Sequence, residues 1–434
     1  MPLIPTPRRA APAPGRVADC TCPDGVRASG MSRRSLLKAL GAGALTLTAT
    51  EAVSTQVAFA APGYTGDVLV VLSLRGGFDG LSAVVPAGDP EYYRLRPTIA
   101  VPQSSLLALD GTFGLHPALA PLLPLWRAGT LGAVHGVGQP DATRSHFAAM
   151  EEMERAAPGT SLRTGWLDRT MGTRATGSTF SALSLGSPTT PSSLAGPRPE
   201  LAMDDLAGFA LDGPWDATER ARWTTALRSL HAEGPATVAA GGTAALAAAD
   251  VVAGMGGATP AATYPEGDLG TSLRDLARMI KAGVGVQVAA VDYGDWDMHA
   301  DLGRAGGGWM AGKLAELASA MAAFAADLGP RMDGVTVLTL SEFGRRAAEN
   351  GSGGLDHGHG NLVLMMGGGV VGGRVHGAWP GLGGGALDDG ALAGTTDYRA
   401  VIGEVLQKRC GAGSLADVFP GFGGGAGLGV VRGR

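Results

Sequence analysis

Histidine and carboxylate residues in this sequence gather in short runs punctuated by glycine. Asp79 lies in Gly76-Gly77-Phe78-Asp79-Gly80. Asp295, Asp297 and His299 lie in Gly294-Asp295-Trp296-Asp297-Met298-His299, and Glu342 in Ser341-Glu342-Phe343-Gly344-Arg345. Asp356, His357 and His359 make up Asp356-His357-Gly358-His359-Gly360. Imidazole with carboxylate is the donor set of zinc, manganese or a magnesium-containing pair, and calcium is taken by the carboxylates; two such runs meeting at one point could hold one or two divalent ions. A pair of ions would stabilise attack on a phosphoryl or sulfuryl centre by charge. Ser145 opens an amphipathic stretch, so it stands where helix N–H groups and the helix dipole favour a phosphate, and it is the candidate nucleophile.

Each of these residues also has a plainer reading. Asp79 suits an Asx-turn or a helix cap, Ser145 an N-cap, and the 295–299 run a surface turn with one capping Asp. Glu342 could pair with Arg345 or Arg346, and the 356–360 run could be a turn with exposed histidines. His116 before Pro117 and His135 within an apolar run read as cap or core residues. His146, beside Ser145, is open between ligand and phosphate contact, and His376 ranks below His359 as a last ligand.

The elements that must position these groups are legible as alternating patterns. Continuous apolar runs at 67–74, 130–137, 284–292, 335–340 and 361–366 are those of strands buried on both faces of a parallel sheet. Helical patterns at 119–128, 145–156 and 310–328 separate them; in the last, Leu314, Leu317, Met321 and Phe324 recur at three- and four-residue spacing. Strand alternating with helix predicts an α/β domain with a mostly parallel sheet sandwiched by helices. Ligands of such sheets sit outside the carboxyl ends of the strands, which is where the polar runs fall. From about 186 to 270 the chain turns to Ala, Gly, Ser and Thr and reads as a helical insertion, with helices at 218–230 and 235–252. The Gly-rich tail near 421–429 reads as a poorly ordered surface segment.

Residues 1–60 read as a leader rather than as part of the domain at 61–434. After Met31 come Arg33 and Arg34, a Leu pair, a weakly apolar stretch from Ala39 to Ala49, and Ala58-Phe59-Ala60. This resembles a twin-arginine signal peptide at 31–60, which implies the twin-arginine translocase and signal peptidase as partners and a destination in the periplasm, cell envelope or medium. The pattern is compatible with translation from Met1 or from Met31. Removing residues 1–60 leaves 27 basic against 36 acidic residues, a net charge of −9 compared with −5 for the whole chain. An acidic chain without a basic stripe is a poor nucleic-acid partner, and no apolar window is long enough for a transmembrane span. Of three cysteines only Cys410 remains beyond the leader, so no internal disulfide can form. The 71 glycines and 27 prolines show no collagen-like period and belong to turns.

Six runs in order resemble one bacterial family. LRGGFDGL at 74–81, RSHFAAMEEMER at 144–155, GWLDR at 165–169, YGDWDMH at 293–299, SEFGRRAAENGSGGLDHGHG at 341–360 and GGRVHGAWPGL at 372–382 are similar to the domain-of-unknown-function 1501 family. That family is placed by fold with the alkaline phosphatase and sulfatase superfamily, so the resemblance implies an alkaline phosphatase-like sheet and a metal centre. No established reaction comes with it. By position, Asp79 matches the superfamily's Asp after the first strand, Ser145 its nucleophile, and Asp295 with His299 its Asp-x-x-x-His, with Asp297 an alternative ligand. Glu342 takes the role of the later Asp, Phe343 stands where a His is expected, and His357 or His359 takes the final His role, with Asp356 or His357 able to fill in. The expected activity is metal-dependent hydrolysis of a phosphate or sulfate ester; the alternative is a catalytically silent extracytoplasmic protein that binds a metal or an envelope component.

Overall fold

The computed structural model describes residues 66–172, 179–187, 189–198, 200–209, 216–255, 259–425 and 427–434. The twin-arginine leader lies outside the described residues.

The apolar runs become the strands of one nine-stranded sheet. Its principal strands are β1 (Val68–Ser73), β2 (Leu131–Gly138), β3 (Ala182–Leu185), β4 (Leu201–Met203), β5 (Val288–Asp292), β6 (Val335–Leu340) and β7 (Asn361–Gly367), with short strands β8 (Val375–His376) and β9 (Thr396–Asp397) at one side. The order is β8-β2-β7-β6-β1-β5-β3-β4, with β9 also pairing to β2. Strand β1 is central and runs parallel to both β5 and β6. Only β7 is antiparallel to its neighbours, β6 and β2. The residues just before β7 therefore emerge at the same sheet end as those just after β1, β2, β5 and β6. That reversal is what places the 356–360 run beside the others.

Both faces of the sheet are covered, which explains why the strands read as unbroken apolar runs. Val70, Leu72 and Leu74 point into one core, packed against helices α4 (Asp268–Ala282) and α5 (Gly308–Leu328) through Leu273, Leu276, Leu317, Met321 and Phe324. Leu69 and Val71 point into the other core, with Met153 of α1 (His146–Arg155) and with Val401, Ile402 and Val405 of α6 (Tyr398–Lys408). The two intervening helices, α2 (Ala217–Ala232) and α3 (Ala236–Gly254), pack on one another.

Two expectations from sequence are corrected. The 186–270 segment is not wholly helical: Leu201–Met203 forms β4, parallel to β3, because a three-residue apolar run is too short to show a period and takes its conformation from its partner. Strand β5 begins at Val288, so 284–287 approach the sheet without joining it as strand. Residues 421–425 and 427–429 lie mostly at the surface, and the two valines after them are buried, with Val431 bridging Val370.

Candidate metal centre

The turn after β1 can pass under the neighbouring loop only because it lacks side chains. Gly76 has φ +110°, and a Cβ there would lie 2.7 Å from the Asp297 backbone nitrogen. The Gly76 amide donates to Glu342 Oε1 at 2.9 Å, and the Phe78 amide donates to Ser341 Oγ at 2.9 Å, so the ends of β1 and β6 are tied together. Gly358 has a similar role, because a Cβ there would lie 2.4 Å from the Arg345 carbonyl carbon. The close approach lets His357 and Arg345 form a backbone bridge, which brings the 356–360 run onto the loop after β6.

Three imidazoles and one carboxylate meet at this sheet end. His146 Nε2 and His299 Nε2 each lie 2.9 Å from His357 Nε2. Asp297 Oδ1 is 3.1 Å from His299 Nε2, 3.2 Å from His357 Nε2 and 3.5 Å from His146 Nε2. The opposite nitrogen of every ring has an acceptor. His146 Nδ1 donates to Glu342 Oε1 at 2.6 Å, His299 Nδ1 to Asp356 Oδ1 at 3.1 Å, and His357 Nδ1 to the Arg144 carbonyl at 2.8 Å. With hydrogens assigned by those acceptors, the Nε2 atoms carry lone pairs, and that of His357 faces those of His146 and His299. Facing lone pairs repel unless a cation sits among them. A tetrahedral ion about 2.05 Å from its donors separates them by about 3.3 Å, close to the 2.9, 3.2 and 3.5 Å edges of the His146, His357 and Asp297 triangle. The donors fit a divalent metal, and imidazole Nδ1 held by carboxylate or carbonyl is the usual support of a metal-binding histidine.

The electrostatics bear on one of the rings and on two of the carboxylates. Burial lowers the His357 pKa and so keeps its ring neutral. Burial pushes Asp297 up, but the hydrogen bond and charge of Arg345 outweigh it and hold the carboxyl at about 2. The hydrogen bonds from Asn350 and then His299 lower Asp356. Arg345 is 1% exposed and works as a hub: besides Asp297 Oδ1 at 2.6 Å it donates to the carbonyls of Gly76, Gly77, Leu355 and Trp296. It therefore fixes the loops after β1, β5 and β6 relative to one another. Phe343 is buried and packs against the rings of His146 and His357, each at 4.8 Å between centroids, forming an apolar wall.

The residues singled out in the sequence divide into three groups. Asp297, His299 and His357 meet directly, and Glu342 and Asp356 stand behind two of the rings. Asp79 is elsewhere engaged: it is buried, and Arg96 takes both its oxygens at 2.6 and 2.9 Å. His359 is also engaged elsewhere, with Nδ1 against Asp388 at 2.7 Å and Nε2 against the Gln139 carbonyl at 2.9 Å. Asp295 lines an adjoining cleft. Ser145 is exposed at the start of α1, and its side chain makes no capping bond. The next residue, His146, supplies the ring that the resemblance did not assign; its signal was adjacency to Ser145 at a helix start. His116 caps a 3-10 turn by accepting from the Ala118 amide, and His135 is core, its Nε2 donating to the Val84 carbonyl. His376 is buried with Nε2 donating to the Val371 carbonyl.

A cleft of about 620 Å3 opens from His146, Asp297 and Glu342, bounded by Arg75, Phe147, Met150, Glu151, Glu154 and Asp295 among others. Among the described residues no helix is long and apolar enough to cross a membrane. No curated protein and no solved structure matches the chain. A family model described as "Protein of unknown function (DUF1501)" matches residues 114–395, a span that includes His146, Asp297, His299 and His357. The chain belongs to the DUF1501 family.

Proposed function

We propose that this protein is an exported, metal-dependent hydrolase of phosphate or sulfate esters on an alkaline phosphatase-like sheet. The supporting observation is that His357 Nε2 faces the Nε2 atoms of both His146 and His299 at 2.9 Å while the Nδ1 of every ring is held by an acceptor. His146, Asp297 and His357 would hold the ion, with His299 as a further donor. Three imidazoles to one carboxylate favour zinc or manganese over magnesium or calcium. The bound ion would supply positive charge to neutralise the ester oxygens. Glu342, Asp356 and the Arg144 carbonyl fix ring orientation, and Phe343 keeps water from one side of His146 and His357. Phe343, in the place of an expected histidine, argues for one ion rather than two. Ser145 offers an uncommitted hydroxyl one residue from His146. Export would use the twin-arginine translocase and signal peptidase, delivering the acidic domain to the periplasm, cell envelope or medium.

A second reading has its own support. Ser145 has no base within hydrogen-bond reach among the described residues, as suits a protein that binds a metal without turning over an ester. The two are separated by assaying the mature protein with aryl phosphate, phosphodiester and sulfate substrates under zinc, manganese, magnesium and calcium. Turnover that requires the metal and falls at least about a hundredfold in Ser145→Ala supports the hydrolase and its nucleophile. Stoichiometric metal without turnover under any combination supports the binding role.

A further inference from the structure

We infer that the cleft beside the histidine cluster receives an apolar group that carries no negative charge, and best an aryl group bearing an ammonium cation. The inference deepens the hydrolase reading and rests on it for what is attached to that group.

The apolar side of the cleft comes from α1. Phe147 follows His146 directly and is 90% exposed, so this large ring buries almost nothing against its own chain. Met150, three residues on, lies on the same helix face and also lines the cleft. A lone exposed phenylalanine is ordinary. One that walls a 620 Å3 cleft next to a cluster of metal-type donors is placed where a substrate's apolar part would lie.

The charge of the cleft is unbalanced toward negative. Arg75 is the one arginine or lysine in its lining, and its guanidinium is taken by Glu154 at 2.6 Å and Asp292 at 2.8 Å. Asp295 makes no hydrogen bond or ion pair among the described residues. It sits at φ +69° on the ridge between this cleft and a second cavity of about 600 Å3 that shares Arg75, Gly294 and Asp295. An anionic group such as a sugar acid or a second phosphate would thus meet the Asp295 carboxylate with no cation in this cleft outside the Arg75 ion pairs, since Lys313, which acts on Asp295, lines the second cavity across the ridge. An ammonium would meet that carboxylate and the face of an aromatic ring.

The test uses mature, metal-loaded protein and three non-hydrolysable phenylphosphonates whose para substituent is trimethylammonium, methyl or carboxylate. The phosphonate group is common to all three, so differences in Kd report the cleft. The expected order is ammonium tightest and carboxylate weakest, with at least about a tenfold span. Phe147→Ala weakens the ammonium and methyl compounds, and Asp295→Asn, which tolerates the left-handed backbone, narrows the span. A carboxylate compound that binds as tightly as the ammonium one, or no effect of Phe147→Ala, overturns the inference, as does failure of all three to bind. Ordered binding without hydrolysis of any aryl ester overturns the hydrolase reading alone. Hydrolysis with the reverse binding order overturns the cleft inference alone.

Discussion

His146 and His357 face one another through Nε2 atoms 2.9 Å apart, although Glu342 and the Arg144 carbonyl already claim the hydrogen on the other nitrogen of each ring. Two lone pairs at that separation repel one another, and a metal ion or a proton between them removes the repulsion. Zinc or manganese titrated into the mature protein and followed by calorimetry is expected to bind with near-unit stoichiometry. Glu342→Gln, which leaves the donors in place but weakens the support of His146, is expected to lower affinity about 10- to 100-fold. An unchanged affinity would show that ring orientation does not depend on Glu342.

Asp79 and Arg96 make a different kind of pair. Burial raises the Asp79 carboxyl, but the charge and hydrogen bonds of Arg96 outweigh it, so its pKa is lowered. Asp79→Ala strands a buried guanidinium and is expected to cost about 3–5 kcal/mol in denaturant unfolding. Metal stoichiometry should stay the same. Loss of metal with intact stability would return Asp79 to the ligand set.

Arg345 joins four backbone carbonyls to Asp297. Arg345→Lys keeps the charge but loses the planar fork that reaches several acceptors at once. We expect a loss of roughly 1–3 kcal/mol in stability, from carbonyls left unpaired, together with weaker metal binding. A Lys variant matching the wild type in both measurements would reduce Arg345 to a simple counter-charge.

Two core histidines set an acid limit on stability. Burial pushes His116 and His135 down to about 4 from an ordinary value of 6.5. The unfolded chain therefore takes up protons that the folded one refuses. Stability is complete above about pH 6.5 and falls as pH drops through 4, by up to roughly 3 kcal/mol for the fully buried His135. Folding free energies measured at pH 7 and pH 4.5 should show a shallower fall in His135→Gln than in the wild type, even if the variant is less stable at both. An identical fall would place the acid sensitivity elsewhere.

Much of this arrangement was legible in the sequence, for identifiable reasons. Strands buried on both faces leave continuous apolar runs, so β1 and β6 stood within a residue of their observed limits, and the polar runs following them marked the working end of the sheet. Asp297, His299 and His357 could be named because imidazole and carboxylate spaced within one loop have few other uses. Pairings across the chain were not legible. Nothing near Asp79 reveals that Arg96 closes over it, and nothing near His359 announces Asp388, twenty-nine residues away. At the start of α1 the hydroxyl of Ser145 drew attention, whereas helix geometry turns His146 toward the cluster and leaves Ser145 exposed. The strand β4 was hidden because three residues carry no period.

The central claim is that His146, Asp297 and His357 hold a divalent ion, and elemental analysis of protein exported by its own signal tests it most directly. Wild type and His359→Ala are expected to carry close to one ion per chain, and His357→Ala essentially none. Metal-free wild type, or metal kept by His357→Ala and lost by His359→Ala, would contradict it.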